Sequence, residues 1–391
     1  MKIQSLSISG VGGIRELELH FHPGFNVLCG PNGIGKTTVL NIIADAFCNS
    51  NSVLKRNATY AIGNYTIEYI GKNGEKQRKS LEVKEFEPGK KDHSRSLSDE
   101  TPYLMLFSIN RFINYQEISN LPRDPNLNLF NLGNSLTQGI QITDMKGWFV
   151  NRFLFCDKEG SMTEEQTQNY LSAKGSFSAM DPDMKFKTVD SSSYDILLTS
   201  KKGDIYFEYL SAGYKTCIYI ILGLIKEIEF RFREPRITAS DFDGVVLIDE
   251  IDLHLHPTWQ GRLVEALRQI FPKAQFIVTT HSPSVLQSLN KEEIIAMTQD
   301  NSGNVQIKEL QLGEYGLQGW TIEEILKDVM EMPDTSSNLY MSTMESYKNA
   351  LAENNNKDIL RNYRILKAML HPESITGRLL DIQIAGLEDD E

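Results

Sequence analysis

The chain has few cysteines, no excess of positive charge and no long apolar run. Its four cysteines, Cys29, Cys48, Cys156 and Cys217, are scattered without CxxC or ligand-like spacing, which argues against a disulfide framework or a zinc site. Acids outnumber bases and the net charge is −12. Phosphate affinity comes from clustered Lys and Arg, so non-specific binding of nucleic acid by the whole surface is disfavoured, while a local basic face stays open. No apolar run approaches the ~18–20 residues needed to cross a bilayer. The longest, around Ile218 to Ile225, is broken by Tyr219 and Gly223 and ends at Lys226. Met1-Lys2-Ile3-Gln4 enters a strand-like pattern directly, without a charged segment and apolar core of the secretory kind. The expectation is an unprocessed cytoplasmic chain with no membrane partner. Internal repeats are absent, as are heptads long enough for a coiled-coil arm.

What remains is an ordinary globular composition, 40% hydrophobic and 24% charged over 391 residues, enough for two or three domains. Residues 2–8 and 15–21 alternate apolar and polar and read as strands with one buried face, joined by a turn at Gly10–Gly13. Phe25–Cys29 is a short apolar run suited to a buried parallel strand. A Gly-rich loop follows, then a helical pattern over Thr38–Phe47. Residues 59–87 read as further strands with a turn at 71–74, and 88–100 as a mobile polar loop. Residues 119–195 are rich in Asn, Ser, Gln and Asp and weakly patterned, which predicts an inserted, partly helical and flexible region. A strand over Asp204–Tyr209, a long helix over Gly213–Phe232, a strand over Val245–Ile248, a helix over Pro257–Ile270 and a strand over Ala274–Thr279 come next. After residue 311 the chain reads as helical to an acidic tail, Glu388–Glu391.

Two motifs carry the chemistry. Gly30-Pro31-Asn32-Gly33-Ile34-Gly35-Lys36-Thr37 fits GxxxxGK[ST], with Thr38 next, and it lies between a strand and a helix, as a phosphate loop must. Glycines let successive N–H groups turn inward onto phosphate oxygens, and the helix N-terminus adds its positive end. Lys36 supplies charge for the β- and γ-phosphates, and Thr37 a hydroxyl for Mg²⁺. Asn32, Gly33, Gly35, Lys36, Thr37 and Thr38 are therefore the candidate ATP-binding residues. Val245–Ile248 ends in Asp249-Glu250, a Walker B form. Asp249, with Thr37, is the candidate Mg²⁺ ligand, and Glu250 the candidate base that polarises the attacking water.

Leu210-Ser211-Ala212-Gly213, Ile251-Asp252 and Thr279-Thr280-His281 resemble the signature, D-loop and switch histidine of ABC-type ATPase heads, in the family's order. That resemblance implies that Ser211 and Gly213 cap the γ-phosphate held by another subunit. It implies that Asp252 lies at the nucleotide and that His281 senses hydrolysis as a catalytic group. Residues 247–260 (LIDEIDLHLHPTWQ) and 271–283 (FPKAQFIVTTHSP) resemble the stand-alone ATPases of the RecF, SMC and OLD lineage. Within it, the chain looks most like the PtuA-like ATPases of Septu and retron anti-phage systems. Residues 319–330 fit the region after the head. The resemblance is specific over about residues 1–50 and 205–335 and vague over the insert. It departs at the Q-loop: no family glutamine follows the second-lobe strands, and Arg111 or Gln116 stands in that place. His254 and His256 form an HxH pair that reads as packing near the seam rather than as a metal site. Trp259 reads as a helix-packing residue, and Lys72–Lys79 as a solvated hairpin.

The resulting expectation is an α/β P-loop head with a mixed sheet, an inserted helical region and a C-terminal helical extension. Its parts are 1–118, an insert 119–200, 201–310 and a tail region 311–391. Function is expected to be ATP-driven dimerisation, or a higher oligomer of dimers, controlling an effector encoded nearby, an HNH nuclease or another toxin. The alternative is a compact RecF- or SMC-like DNA-binding ATPase, with nucleic acid as partner. A nuclease in the same chain is excluded by the absence of a TOPRIM-like acidic pattern after residue 311.

Overall fold

In the computed structural model, which describes residues 1–48, 52–92, 98–111, 115, 117–121, 123–140, 144–332 and 336–385, Ile3, Leu6 and Ile8 turn one face of β1 (Lys2–Val11) inward. Leu6 and Ile8 pair with Leu19 and Leu17 of the antiparallel β2 (Ile14–His20). β3 (Phe25–Cys29) and α1 (Lys36–Phe47) come next, then the hairpin β4 (Gly63–Ile70) and β5 (Lys76–Val83). The first sheet runs β2-β1-β4-β5.

β6 (Leu104–Phe107) starts the second lobe. Then follow α2 (Leu129–Gln138), α3 (Met145–Phe155), α4 (Glu164–Met180), β7 (Lys185–Val189), β8 (Ile196–Ser200) and β9 (Gly203–Tyr206). The long α5 (Ala212–Arg231) leads to β10 (Val245–Ile248), α6 (Pro257–Ile270), β11 (Gln275–Thr279) and the short α7 (Pro283–Leu286). β12 (Ile294–Gln299), β13 (Val305–Ile307) and α8 (Ile322–Glu324) complete the unit. The main sheet is mixed, in the order β13-β12-β3-β11-β10-β6, with β13 alone antiparallel.

Strands buried on both faces read as continuous apolar runs, and β3, β6, β10 and β11 are buried at every position. Their side chains still alternate. Val27, Val246, Ile248, Phe276 and Val278 face a core shared with α3–α6, while Leu28, Val245, Leu247 and Ile277 face α1 and the first sheet. Each such side chain contributes about 1.5–3 kcal/mol of burial. Gln275, fully buried, joins the layers by exchanging hydrogen bonds with the Ile3 backbone at 2.7 and 2.9 Å.

Several expectations change. Within the region 119–200, Trp148, Phe149, Tyr170 and Phe177 sit in the main core. Glu229 of α5 accepts from Trp148 Nε1 at 3.0 Å and Arg152 Nε at 2.8 Å. The region also holds the β7–β8 hairpin, which pairs onward to β9. β9 stops at Tyr206, and Phe207–Tyr209 is a 3₁₀ turn rather than strand. β12 and β13 have no counterpart in the sequence reading. Residues 311–321 form turns, and helix begins only at Ile322, continuing as a π-turn over Ile325–Val329. The chain divides into two compact units, Met1–Glu331 and Met332–Glu391, so residues 311–331 go with the first. The second gathers α9 (Asn338–Ala352), α10 (Asn356–Met369) and α11 (Ile375–Ile384) around Tyr347, Ile359, Leu366 and Leu380. Gln116, residues 93–97 of the polar segment and the acidic tail Glu388–Glu391 lie outside the described residues.

Candidate active site

The loop between β3 and α1 curls because three glycines take conformations that side chains resist. Gly30, Gly33 and Gly35 have φ of 133°, 77° and 106°. At Gly30 a Cβ would stand 2.2 Å from the Met297 carbonyl oxygen of β12, so only glycine lets the loop rest on that strand. No side chain caps α1, which leaves its first N–H groups free to meet an anion. Lys36 is 5% exposed and its Nζ donates to the Gly30 and Pro31 carbonyls, both at 2.9 Å. Burial holds its pKa below the usual lysine value, against the pull of the nearby acids. Asn32, Gly33, Gly35, Lys36, Thr37 and Thr38 line a cleft of about 580 Å³ together with Glu250 and His281.

The end of β10 meets this loop. Thr37 Oγ1 donates to Asp249 Oδ1 at 3.1 Å, and Thr279 Oγ1 donates to the same oxygen at 2.6 Å. Hydroxyl and carboxylate are the hard oxygen donors that Mg²⁺ takes, one or two from protein with phosphates and water completing the octahedron. Among the described residues no group of three or more His, Cys, Asp or Glu is placed to hold a metal ion. His256 instead caps α6, its Nδ1 accepting from Thr258 N at 3.3 Å. Asp252 Oδ1 accepts from Thr280 Oγ1 at 2.6 Å and from His281 N at 3.2 Å. The His281 ring is exposed at the cleft mouth, yet partial enclosure first, and the Lys36 charge second, lower its pKa.

Thr279 and Thr280 had no role in the sequence reading. The available signal was a pair of hydroxyls at a strand end, directly before His281. Arg111 lies under the same turn: its NH2 donates to the carbonyls of Asp249 at 2.8 Å and Glu250 at 2.6 Å. Burial lowers its pKa to about 10.

Ser211 and Gly213 are not among the cleft residues. Ser211 is exposed and caps α5, accepting from Tyr214 N at 3.3 Å. Gly213 lies against the backbone of residues 254–256: a Cβ there would be 3.2 Å from the His254 oxygen. Trp259 packs edge-on to Tyr214 at 5.4 Å, a packing role. In the hairpin at 72–79, Lys72 pairs with Asp99 at 3.5 Å and Lys79 donates to the Ala46 carbonyl.

Residues 1–121 match the family "AAA ATPase domain" and residues 149–287 the family "AAA domain, putative AbiEii toxin, Type IV TA system". Over 98% of its length the chain is 39% identical to the Septu protein PtuA of Bacillus thuringiensis, covering 98% of that protein. The chain belongs to the Septu PtuA family. PtuA membership makes it a defence-associated ATPase. A similar protein, "Retron Ec83 probable ATPase" of Escherichia coli, is 30% identical over 40% of this chain and 27% of its own. Among solved structures, the SMC head domain from Thermotoga maritima aligns over 80% of this chain and 100% of its own, at 16% identity and a TM-score of 0.45. No helix among the described residues is long and apolar enough to cross a membrane.

Proposed function

We propose that this PtuA-family ATPase closes two copies over ATP, and that the closed dimer controls a partner effector, a nuclease or toxin, in anti-phage defence. The supporting observation is a split site. The Lys36 ammonium, the Thr37 hydroxyl, Glu250 and His281 line one cleft and Asp249 is bonded to Thr37, while Ser211, the cap of α5, and Gly213 in its first turn are not among the residues that line it. A nucleotide in the cleft would draw Lys36 from neutral carbonyls to charged phosphate oxygens, which form the stronger, charge-assisted bonds. Thr37 and Asp249 would hold Mg²⁺, which neutralises phosphate charge and orients the γ-phosphate. Glu250 takes the proton of the attacking water. Ser211 and the start of α5 from the second copy would cover the γ-phosphate. Binding then favours the closed pair and hydrolysis releases it, a two-state element that an effector can read. Kinship to a Septu PtuA and to a retron ATPase supports a role in defence.

The test is the Glu250→Gln variant with saturating ATP and Mg²⁺, followed by sedimentation and by co-purification of adjacent gene products. A trapped dimer that holds or releases an effector with ATP supports the proposal. A monomer under those conditions contradicts it. Turnover stimulated by DNA ends alone, with no effector, would favour a DNA-binding ATPase instead.

A further inference from the structure

Glu250 stands at φ 49°, in the left-handed region that residues with a Cβ rarely occupy. Such a conformation persists only where its surroundings over-determine it. Two buried side chains do so here. The Glu250 N–H donates to Thr279 Oγ1 at 2.7 Å. Its carbonyl accepts from Arg111 NH2 at 2.6 Å, and the same nitrogen reaches the Asp249 carbonyl at 2.8 Å. The peptide before Glu250 is thereby held by both Thr279 and Arg111, and the peptide after it by Arg111.

Arg111 is an unusual tenant for packing alone. It is 5% exposed, and its Nε and NH1 have no hydrogen-bond partner among the described residues. A buried cation facing carbonyls rather than a carboxylate is costly to keep, and an apolar side chain of similar length would fill the space more cheaply. What the guanidinium adds is the pair of bonds to the acidic turn. Thr279, 1% exposed, adds the opposing bond and also fixes Asp249 Oδ1 at 2.6 Å.

Building on the reading of Glu250 as the base, we propose that Arg111 and Thr279 are positioning residues that clamp the Glu250 peptide in its left-handed conformation and so aim its carboxylate into the cleft. Neither lines the cleft, so neither has to touch the nucleotide. A carboxylate displaced by about 1 Å from its in-line water loses about 100-fold in rate, while uniform binding of the nucleotide is untouched. Arg111 acts on backbone only. Thr279 also steadies the Asp249 carboxylate, so its loss should raise the Mg²⁺ concentration needed for turnover.

The experiment uses the full chain and compares Arg111→Met, Thr279→Val, Thr279→Ser and Glu250→Gln by steady-state ATPase kinetics, with thermal melting of each. Arg111→Met and Thr279→Val should each lower kcat by at least about tenfold with KM for ATP within about twofold. Thr279→Ser, which keeps the hydroxyl, should stay within about twofold of the parent. The Arg111→Met, Thr279→Val double variant should lose less than the product of the single losses, because both hold one peptide. If Arg111→Met does not fold, the Thr279 pair decides: equal turnover in the Val and Ser variants overturns the clamp. Unchanged kcat in both clamp variants, or a loss confined to KM, also overturns it while Glu250→Gln is inactive. Wild-type turnover in Glu250→Gln would instead sink the underlying assignment of the base.

Discussion

Gly30→Ala is a sharp probe of the phosphate loop, because its cost follows from two features of the loop's geometry. The new Cβ would lie 2.2 Å from Met297 O and 3.1 Å from Met297 C, both backbone atoms of β12. Neither can swing aside as a side-chain tip would, so loop and strand must part by about 0.8 Å or more to restore an allowed contact. Overpacking of that kind costs about 1–3 kcal/mol, and holding alanine at φ 133° adds about 1–3 kcal/mol of backbone strain. Together these should lower the melting midpoint by roughly 3–8 °C, at about 1.4 °C per kcal/mol for a unit of this size. Gly33→Ala is the control. It shares a positive φ of 77° but meets nothing within 4 Å, so only the strain of about 1–3 kcal/mol remains and the midpoint should fall by about 1–4 °C. Calorimetry without nucleotide reads both. A second arm adds Mg-ATP, which stabilises by about 2.7 kcal/mol at 100 times Kd; the parent should gain this and Gly30→Ala should not. Equal midpoints for the two variants, or full ATP stabilisation of Gly30→Ala, would refute the reasoning.

Lys36→Ala removes both bonds of the ammonium, the charge meant for phosphate, and should weaken ATP binding by at least about 100-fold in equilibrium titration; a loss under tenfold would count against the assignment. Ser211→Ala should cut hydrolysis about tenfold or more while ATP affinity of the isolated subunit holds, and the lost helix cap should cost about 1 kcal/mol of stability. Arg152→Met leaves Glu229 buried without its cation and should destabilise the fold by about 3–5 kcal/mol at pH 8. The Glu229 carboxyl is already held above its usual range by burial, against the pull of Arg152. The folded state therefore keeps a proton that the unfolded state releases as pH rises above the ordinary carboxyl value. Stability of the variant should thus fall with rising pH and partly recover near pH 5. A pH-independent deficit in chemical denaturation would contradict this.

Sequence pattern marks the parts of the site that are local. The run Phe25–Cys29, the glycines at 30, 33 and 35, and the apolar strand before Asp249 each state their structure within a few residues, because parallel strands are apolar throughout and only glycine tolerates the loop's φ values. The clamp at Glu250 is illegible by the same logic. Arg111 is 139 positions from Glu250, and Thr279 is 29, so no spacing rule connects them. Within the insert, α3 buries Met145 through Val150 without a break, which erases the 3.6-residue rhythm that would reveal a helix, while α4 buries one stripe but fills it partly with Gln166, Asn169 and Ser176, so the hydrophobic signal is lost. β12 is a short apolar run, IIAMTQ, that periodicity alone does not separate from buried helix. Residues 311–321 look helical in composition, yet Gly313 and Gly316 pair in an isolated bridge and turn the chain instead.

Mixing two inactive variants tests most directly whether catalytic halves come from different copies. A Lys36→Ala chain keeps its Ser211, and a Ser211→Glu chain keeps its Lys36, so a hybrid pair with two-fold symmetry broken would hold one complete site of two. With random pairing, turnover should return to about a quarter of the parent level, although each variant alone is silent. A mixture no more active than its separate components, with hybrids demonstrably formed, would mean that Ser211 does not complete the cleft built around Lys36.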